Sequence, residues 1–428
     1  MVDRYRPGVV NVLAGVRPGS VTGAEAVAYE VALEGASQVI GFYAGLIAGQ
    51  EDAAEPDTEA MARWRAEQRA WAVRRRELTP TDAREIAAIH IAGEDLLADP
   101  SDEDDEQEGP STAHRAAAAQ AADARRTQVL EETESERIFR DRIAPVELTG
   151  TSQIQPVVVI VAGQPGDGKA AITALAQDVL NSRGRSVTIS PDRYEPHHPS
   201  FHALMAEEPL LVGRADEDAM RWTTRAAAYA RSQRFNVVIE SVLRDPGAFA
   251  DQARQFKAAG YQVEVALVAV HEAASRFGVL DRHLRALEVF GYGRLAETEV
   301  HDACYQAVLR GAEVVDREEI ADRVAVLRPD GRLIYGNQRI AGGGWQQPPS
   351  TAEAINWERR RPWTVAESRL FLDAVLEFQQ IGLSAPIPWI RSEAIEGART
   401  VNALAAPRLH PDAVTLHIAT AGVSRPDA

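Results

Sequence analysis

Cysteine is almost missing from this chain: Cys304 is the only one in 428 residues. A single thiol permits no intrachain disulfide and no cysteine-based zinc site, and it reads as a small buried apolar residue rather than a nucleophile. Basic charge is also short, with 46 Lys+Arg against 63 Asp+Glu and a formal net charge of −17. That balance repels nucleic acid and anionic membranes as non-specific partners, although a local basic pocket can still take a nucleotide. The N-terminal Met1-Val-Asp-Arg-Tyr-Arg-Pro7 has no apolar core of signal-peptide length. No apolar run is read as reaching the roughly 20 residues of a membrane span. The expected location is the cytoplasm, with neither nucleic acid nor membrane as partner.

At about 150 residues per domain, the length suggests two or three domains. Residues 1–98 read as a helical N-terminal domain, with a charged helix from Thr58 to Arg76 and a helix start capped by Thr81. Residues 99–110, rich in Asp and Glu and bracketed by prolines, read as a solvated acidic linker. Residues 111–340 begin with a long Ala-rich helix, expected to run through Glu131 to Ile143 and end near Pro145. Strand candidates follow at 157–162, 186–190, 236–240 and 263–270, separated by helical segments, and a hairpin spans 323–335 with Pro-Asp-Gly as its turn. That rhythm predicts an α/β fold: a largely parallel sheet covered by helices. Residues 341–428 read as a helical C-terminal extension, and its Arg359-Arg360-Arg361 run carries no recognisable chemistry.

The most telling segment is the apolar strand Val157–Ala162, followed by Gly163-Gln164-Pro165-Gly166-Asp167-Gly168-Lys169 and then a helical pattern. Strand, glycine loop and helix in this order form the context of a phosphate-binding P-loop. The glycines let backbone N–H groups approach phosphates, the helix N-terminus adds partial positive charge, and Lys169 reaches the β/γ-phosphates. Ala170 stands where a Ser or Thr hydroxyl normally holds Mg²⁺, and Asp167 brings a carboxylate into an anion cradle.

Ligand crevices in open parallel sheets lie at the carboxyl ends of strands. Asp192 follows the strand ending at Ser190, and Glu240 ends the next apolar strand, with Arg244 four residues on. Arg282 and Arg294 lie in the helical region beyond the fourth strand. Phosphoryl transfer needs a cradle, a group to position the attacking hydroxyl, and cations for spreading charge, and these residues are candidates for all three.

Taken together they resemble the zeta-toxin family of P-loop kinases over roughly residues 130–340. The resemblance rests on the Gly163–Lys169 loop, Asp192 followed by His198-Pro199-x-Phe201, Ile239-Glu240-x-x-x-Arg244, Gly278-x-x-x-Arg282, Tyr292-Gly-Arg294 with His301-Asp302, and the Glu134–Phe139 helix. It implies an ATP- and Mg²⁺-dependent kinase that phosphorylates the 3′-hydroxyl of a UDP-N-acetylamino sugar, a cell-wall precursor. It assigns Asp192 as the base, Lys169, Arg282 and Arg294 as the groups neutralising the phosphoryl, and Glu240, Arg244 and His198 to the substrate. Ser241-Val242 replaces the Gly-Thr usual in that family. Two other readings stay open: a degenerate nucleotide-binding regulator without turnover, and a kinase for another small hydroxyl compound. Zeta-like toxins are restrained by a helical antitoxin, so the expected partners include such a protein or the chain's own N-terminal helices acting in cis.

Overall fold

In the computed structural model the described residues are 11–97, 129–207, 216–291, 293–341, 343–385 and 388–414. The acidic linker at 99–110, the Ala-rich stretch at 111–128 and Tyr292 lie outside them. Six strands form one sheet in the order β2-β3-β1-β4-β5-β6. They are β1 (Val157–Ala162), β2 (Val187–Ile189), β3 (Val237–Ser241), β4 (Gln262–Val268), β5 (Arg323–Leu327) and β6 (Leu333–Gln338). β1 to β5 run parallel, and β6 returns antiparallel to β5 through the expected hairpin, with Gly331 at φ +80° in its turn. β1 is buried at all six positions, as suits a central strand covered on both faces.

Three N-terminal helices, α1 (Gly23–Glu51), α2 (Thr58–Glu77) and α3 (Ala83–Leu97), pack as an arm against this α/β core. α1 corrects one expectation: it is long and apolar enough to cross a membrane by length and composition. However, 94% of its most apolar window is buried inside the protein, because α2, α3 and the core use its apolar surface. Its start is fixed by a capping box between Thr22 and Glu25. The cap of α3 moves by one residue from the expected Thr81: Asp82 accepts the Glu85 N–H at 3.0 Å. Within the described residues the pre-sheet helix begins at Glu132, after residues 129–131, which have no regular structure, and the Ala-rich helix expected before it lies outside the described residues. From Glu132 the helix passes Pro145 through a π-helical turn at Phe139–Ile143 and ends at Glu147.

The arm is tied to the core by a fully buried ion pair, Arg75–Glu147 at 2.7 Å, and Arg75 also donates to the Arg193 carbonyl and Ser37 Oγ. Close approach needs small residues. A Cβ on Gly35 would lie 2.0 Å from the Phe290 ring, and one on Gly41 would lie 2.3 Å from Phe201. The C-terminal helices Thr351–Arg360, Val365–Ser384 and Pro388–Ala405 complete the other side, where Phe371 and Phe378 pack edge-on against Phe277.

Candidate active site

β1 delivers the loop Gly163–Gly168 to the carboxyl edge of the sheet, and the helix Lys169–Asn181 leaves from it. Gly166 and Gly168 adopt φ of +73° and +78°, a region open to glycine and costly for other residues. The loop rests backbone to backbone on the helix Glu272–Phe290. A Cβ on Gly166 would meet the Ser275 carbonyl at 2.1 Å, and one on Gly278 would meet the Gly166 carbonyl at 2.4 Å. Below this contact Ser275 Oγ bonds His301 Nε2 at 2.8 Å, His301 Nδ1 meets Asp302 at 3.0 Å, and Arg276 grips Asp302 with two 2.7 Å contacts. With Ser275 at 0% exposure the chain is a brace for the loop, not a nucleophilic triad. Gly278→Ala is therefore expected to push the P-loop out of shape and weaken ATP binding by roughly tenfold or more while the fold persists. Calorimetric titration with ATP checks this, and unchanged affinity would refute the contact's importance.

Asp167 occupies its own cradle. Its Oδ1 accepts the Lys169 backbone N–H at 3.1 Å and faces Lys169 Nζ at 3.4 Å, while Nζ also donates to the Gln164 carbonyl at 3.1 Å. A Cβ on Gly163 would lie 1.6 Å from Asp167 Oδ2, which is buried and has no hydrogen-bond partner. Burial pushes the Asp167 carboxyl above its ordinary value, with Lys169 opposing. A further cation, from a run in which the sequence showed no recognisable chemistry, stands beside it. Arg359 of the C-terminal helix donates to Gln164 Oε1 at 3.1 Å and to the Tyr305 carbonyl at 2.8 Å, and lies 3.6 Å over the Tyr305 ring. Burial lowers its pKa to about 10, which still leaves it charged at neutral pH.

Around this cradle the structure gathers Lys169, Asp192, Glu240, Arg282 and Arg294, each within electrostatic reach of at least one other. Asp192 sits on the wall of an open cleft, its side chain 57% exposed, bonded to Arg294 Nη1 at 2.6 Å. Being surrounded by protein pushes its carboxyl up, but Arg294, Arg282 and Lys169 overcome this and hold it below the ordinary range. Burial by itself lowers the Lys169 ammonium's pKa. Asp167, Glu240, Glu30 and Asp192 outweigh that and hold its ammonium on.

Glu240 goes the other way. Burial, opposed by Lys169 and reinforced by Asp192 and Glu30, raises its carboxyl from 4.5 to about 7. The folded chain then holds a proton that the unfolded chain has released. The stability from this group is present below about pH 4.5 and lost as pH rises through about 7. Glu240→Gln should flatten this fall by on the order of 1–2 kcal/mol, discounted because the carboxyl is partly open. Urea unfolding at pH 5 and pH 8 measures it, and an identical pH slope in both chains would count against the assignment.

The arm also enters the site, which sequence reading left open. Glu30 lies 3.8 Å from Arg282, and Glu34, one helical turn on, lies 4.0 Å from Arg294 Nε. Glu30 also acts on Lys169 and Asp192. Ala170 and Ala174 pack against the apolar cluster of the arm, so the position lacking the expected hydroxyl forms part of an apolar contact. Glu30 and Glu34, spaced by four within the mainly apolar body of α1, were the available signal for a functional face.

Two assigned positions are not drawn into this set. Arg244 is exposed and bonds the Cys304 thiol, which is buried as the composition suggested. Before it Leu243 takes φ +45°, and Ser241 Oγ accepts the Leu243 N–H at 3.1 Å, so Ser241 serves the turn. His198 is buried. Its Nδ1 accepts the Ser200 N–H at 3.1 Å and its Nε2 faces Asp218 at 3.8 Å, an arrangement that holds the turn. Among the described residues no group of three or more His, Cys, Asp or Glu side chains is arranged to hold a metal.

A parallel sheet with a P-loop at its carboxyl edge, faced by an aspartate and two arginines, defines a P-loop kinase-like α/β protein. Residues 140–340 match the Zeta toxin family model, so this segment is similar to that family. Toxin PezT of Streptococcus pneumoniae serotype 4 is 24% identical over 209 residues, covering 46% of this chain and 82% of that protein. Toxin zeta of Streptococcus pyogenes is 26% identical over 129 residues, 30% of this chain and 44% of that protein. Toxin zeta of Enterococcus hirae is 25% identical over 185 residues, 42% and 64% respectively, so less than two thirds of either zeta toxin is matched. A solved chain from the PezAT chromosomal toxin-antitoxin system of Streptococcus pneumoniae matches 60% of this chain and 100% of itself, with a TM-score of 0.51 at 19% identity. That likeness bears on the fold.

Proposed function

We propose that this protein is an ATP-dependent kinase of zeta-toxin type that phosphorylates a UDP-N-acetylamino sugar in the cytoplasm. The observation that carries the reading is the convergence of Lys169, Asp192, Glu240, Arg282 and Arg294 at the P-loop edge of the sheet. In the reaction the sugar hydroxyl gives its proton to Asp192, which is held ionised by its cationic neighbours. The hydroxyl oxygen bonds the γ-phosphorus as the bond to the β–γ bridging oxygen breaks, and ADP departs. Lys169, Arg282 and Arg294 receive the charge spread over the phosphoryl oxygens, and Glu240 borders the acceptor side.

The residues present fit nucleotide phosphates through the glycine loop and Lys169. They offer Mg²⁺ little: Ala170 has no oxygen, Asp192 serves the acceptor hydroxyl and Glu240 keeps its proton to about pH 7, so the ion would be held mainly by the phosphates and its own waters, where it would supply charge neutralisation. Phosphate transfer from ATP to UDP-N-acetylglucosamine, measured for the full chain and for Lys169→Ala, tests the reading. Turnover lost by at least roughly a hundredfold in the variant supports it. Turnover equal in both chains overturns it.

A second reading is favoured by one observation, the filling of the phosphate cradle by Asp167. In that reading the chain binds nucleotide weakly and acts as a regulator without turnover. A third keeps the chemistry and changes the acceptor, which a panel of hydroxyl compounds distinguishes. We also infer that the arm α1–α3 restrains the site in cis, the part a separate helical antitoxin would otherwise play.

A further inference from the structure

A second cavity, of about 330 Å³, lies away from the P-loop at the seam between the arm and the core. Arg65, Gln68 and Arg69 of α2 line one side, Arg137 and Arg142 of the pre-sheet helix the other, and His197 forms part of the wall. The volume is at the small end of the range of about 300–1,000 Å³ typical of ligand sites.

The charge inventory leaves a positive surplus in a protein that is acidic overall. Glu51 is shared among Arg65 at 3.0 Å, Arg137 at 2.9 Å and Arg142 at 3.0 Å, and Glu134 lies 3.9 Å from Arg137. Asp141, the one acid lining the cavity, pairs with Arg140 at 2.8 Å and also acts on Arg137 and Arg142. Arg69 has no ion-pair partner among the described residues.

The wall is also unsatisfied. His197 is 1% exposed, yet both of its ring nitrogens lack a hydrogen-bond partner, and Arg142 Nη1 is buried and unpartnered as well. A buried polar atom without a partner costs on the order of 1–3 kcal/mol, and here the neutral His197 ring leaves one donor and one acceptor and Arg142 Nη1 a second donor, so the two donors mark a place able to receive acceptor oxygens. Planar guanidinium forks match the tetrahedral oxygens of phosphate, and a neutral imidazole adds a donor N–H. The P-loop anion site shares none of these side chains.

We propose that this cavity binds a small phosphate-bearing anion, through Arg69, Arg137, Arg142 and His197. Its place is consequential. Glu51, which such an anion would rival for the arginines, is the last residue of the helix whose other half carries Glu30 and Glu34 into the active site.

Calorimetric titration with inorganic phosphate and with glycerol phosphate tests the proposal on four full-length chains: unchanged, Lys169→Ala, Arg69→Glu and Arg137→Gln. Thermal unfolding checks that each is folded. Arg69 is exposed and unpaired, so its replacement leaves packing alone. Saturable binding that survives in Lys169→Ala and weakens about tenfold or more in Arg69→Glu and Arg137→Gln is the expected result. A preference for the ester identifies a phosphorylated metabolite, and a preference for the inorganic ion identifies free phosphate. Binding that disappears in Lys169→Ala, that is unmoved by both arginine variants, or that is absent from the unchanged chain overturns the proposal.

Discussion

Replacing Glu30 and Glu34 together by glutamine is expected to raise phosphate transfer by the full chain roughly tenfold or more. The two carboxylates stand on one face of α1 and engage the two arginines that the transferring phosphoryl needs, Arg282 at 3.8 Å and Arg294 at 4.0 Å. At such separations one charge pair is worth about 1 kcal/mol in water and about 4 kcal/mol at an effective dielectric of 20. Only about 1.4 kcal/mol is needed for a factor of ten, so even heavily screened pairs suffice. Glutamine keeps the volume and removes the charge, which preserves the packing of α1. Deleting the arm would instead strip a long buried helix from the core and confound release with unfolding. Arg294 keeps Asp192 at 2.6 Å and Glu195 at 2.8 Å, so it is not left as an isolated buried cation. Glu25→Gln, which touches only the capping box of the same helix, is the control and should leave the rate unchanged. Equal rates for the double variant and the unchanged chain, both folded, would sink the cis-restraint reading.

Asp167→Ser is expected to tighten ATP binding by about tenfold or more, because it removes a like charge from the phosphate cradle. The carboxylate now holds the Lys169 N–H and Nζ that phosphate oxygens would take, and its burial is incompletely offset, as its raised pKa indicates. Removing it should therefore cost little stability, and Lys169 retains the Gln164 carbonyl at 3.1 Å. Asp167→Asn separates the two components of the effect. If asparagine matches serine, charge is the barrier; if only serine tightens binding, the side chain's occupation of the cradle is. Titration with ATP reads both. Unchanged affinity in both variants would mean that Asp167 moves aside at negligible cost.

Much of the core was legible because its signals are local. The six apolar residues of β1, the glycines and lysine after it, and the Pro-Asp-Gly turn of the β5–β6 hairpin each declare a conformation within a few residues. Asp192 and Glu240 could be assigned to the cleft because parallel strands bring their carboxyl ends to one edge. Gly278 was read as part of a motif, but its reason, backbone contact with Gly166, needs the folded loop. Less legible were short-range choices between near-equal neighbours, such as Asp82 over Thr81 as the cap of α3. The apolar run of α1 was underread because alanines and glycines dilute its hydrophobicity to the eye while leaving it smooth enough to bury.

The sequence by itself determined the phosphate loop, the α/β rhythm, the carboxylates at the strand ends and the absence of a hydroxyl at Ala170, since each is a property of a few consecutive residues. Only the tertiary structure decided which distant charges meet there. Glu30 and Glu34 reach the catalytic arginines from about 250 residues away, Arg359 reaches Gln164 from the C-terminal side at |i−j| of 195, and Asp167 turns onto Lys169. Chain order carries no record of such encounters: long-range electrostatics depend on where packed helices bring side chains, and those positions follow from burying the apolar faces of the arm and the C-terminal helices against the sheet.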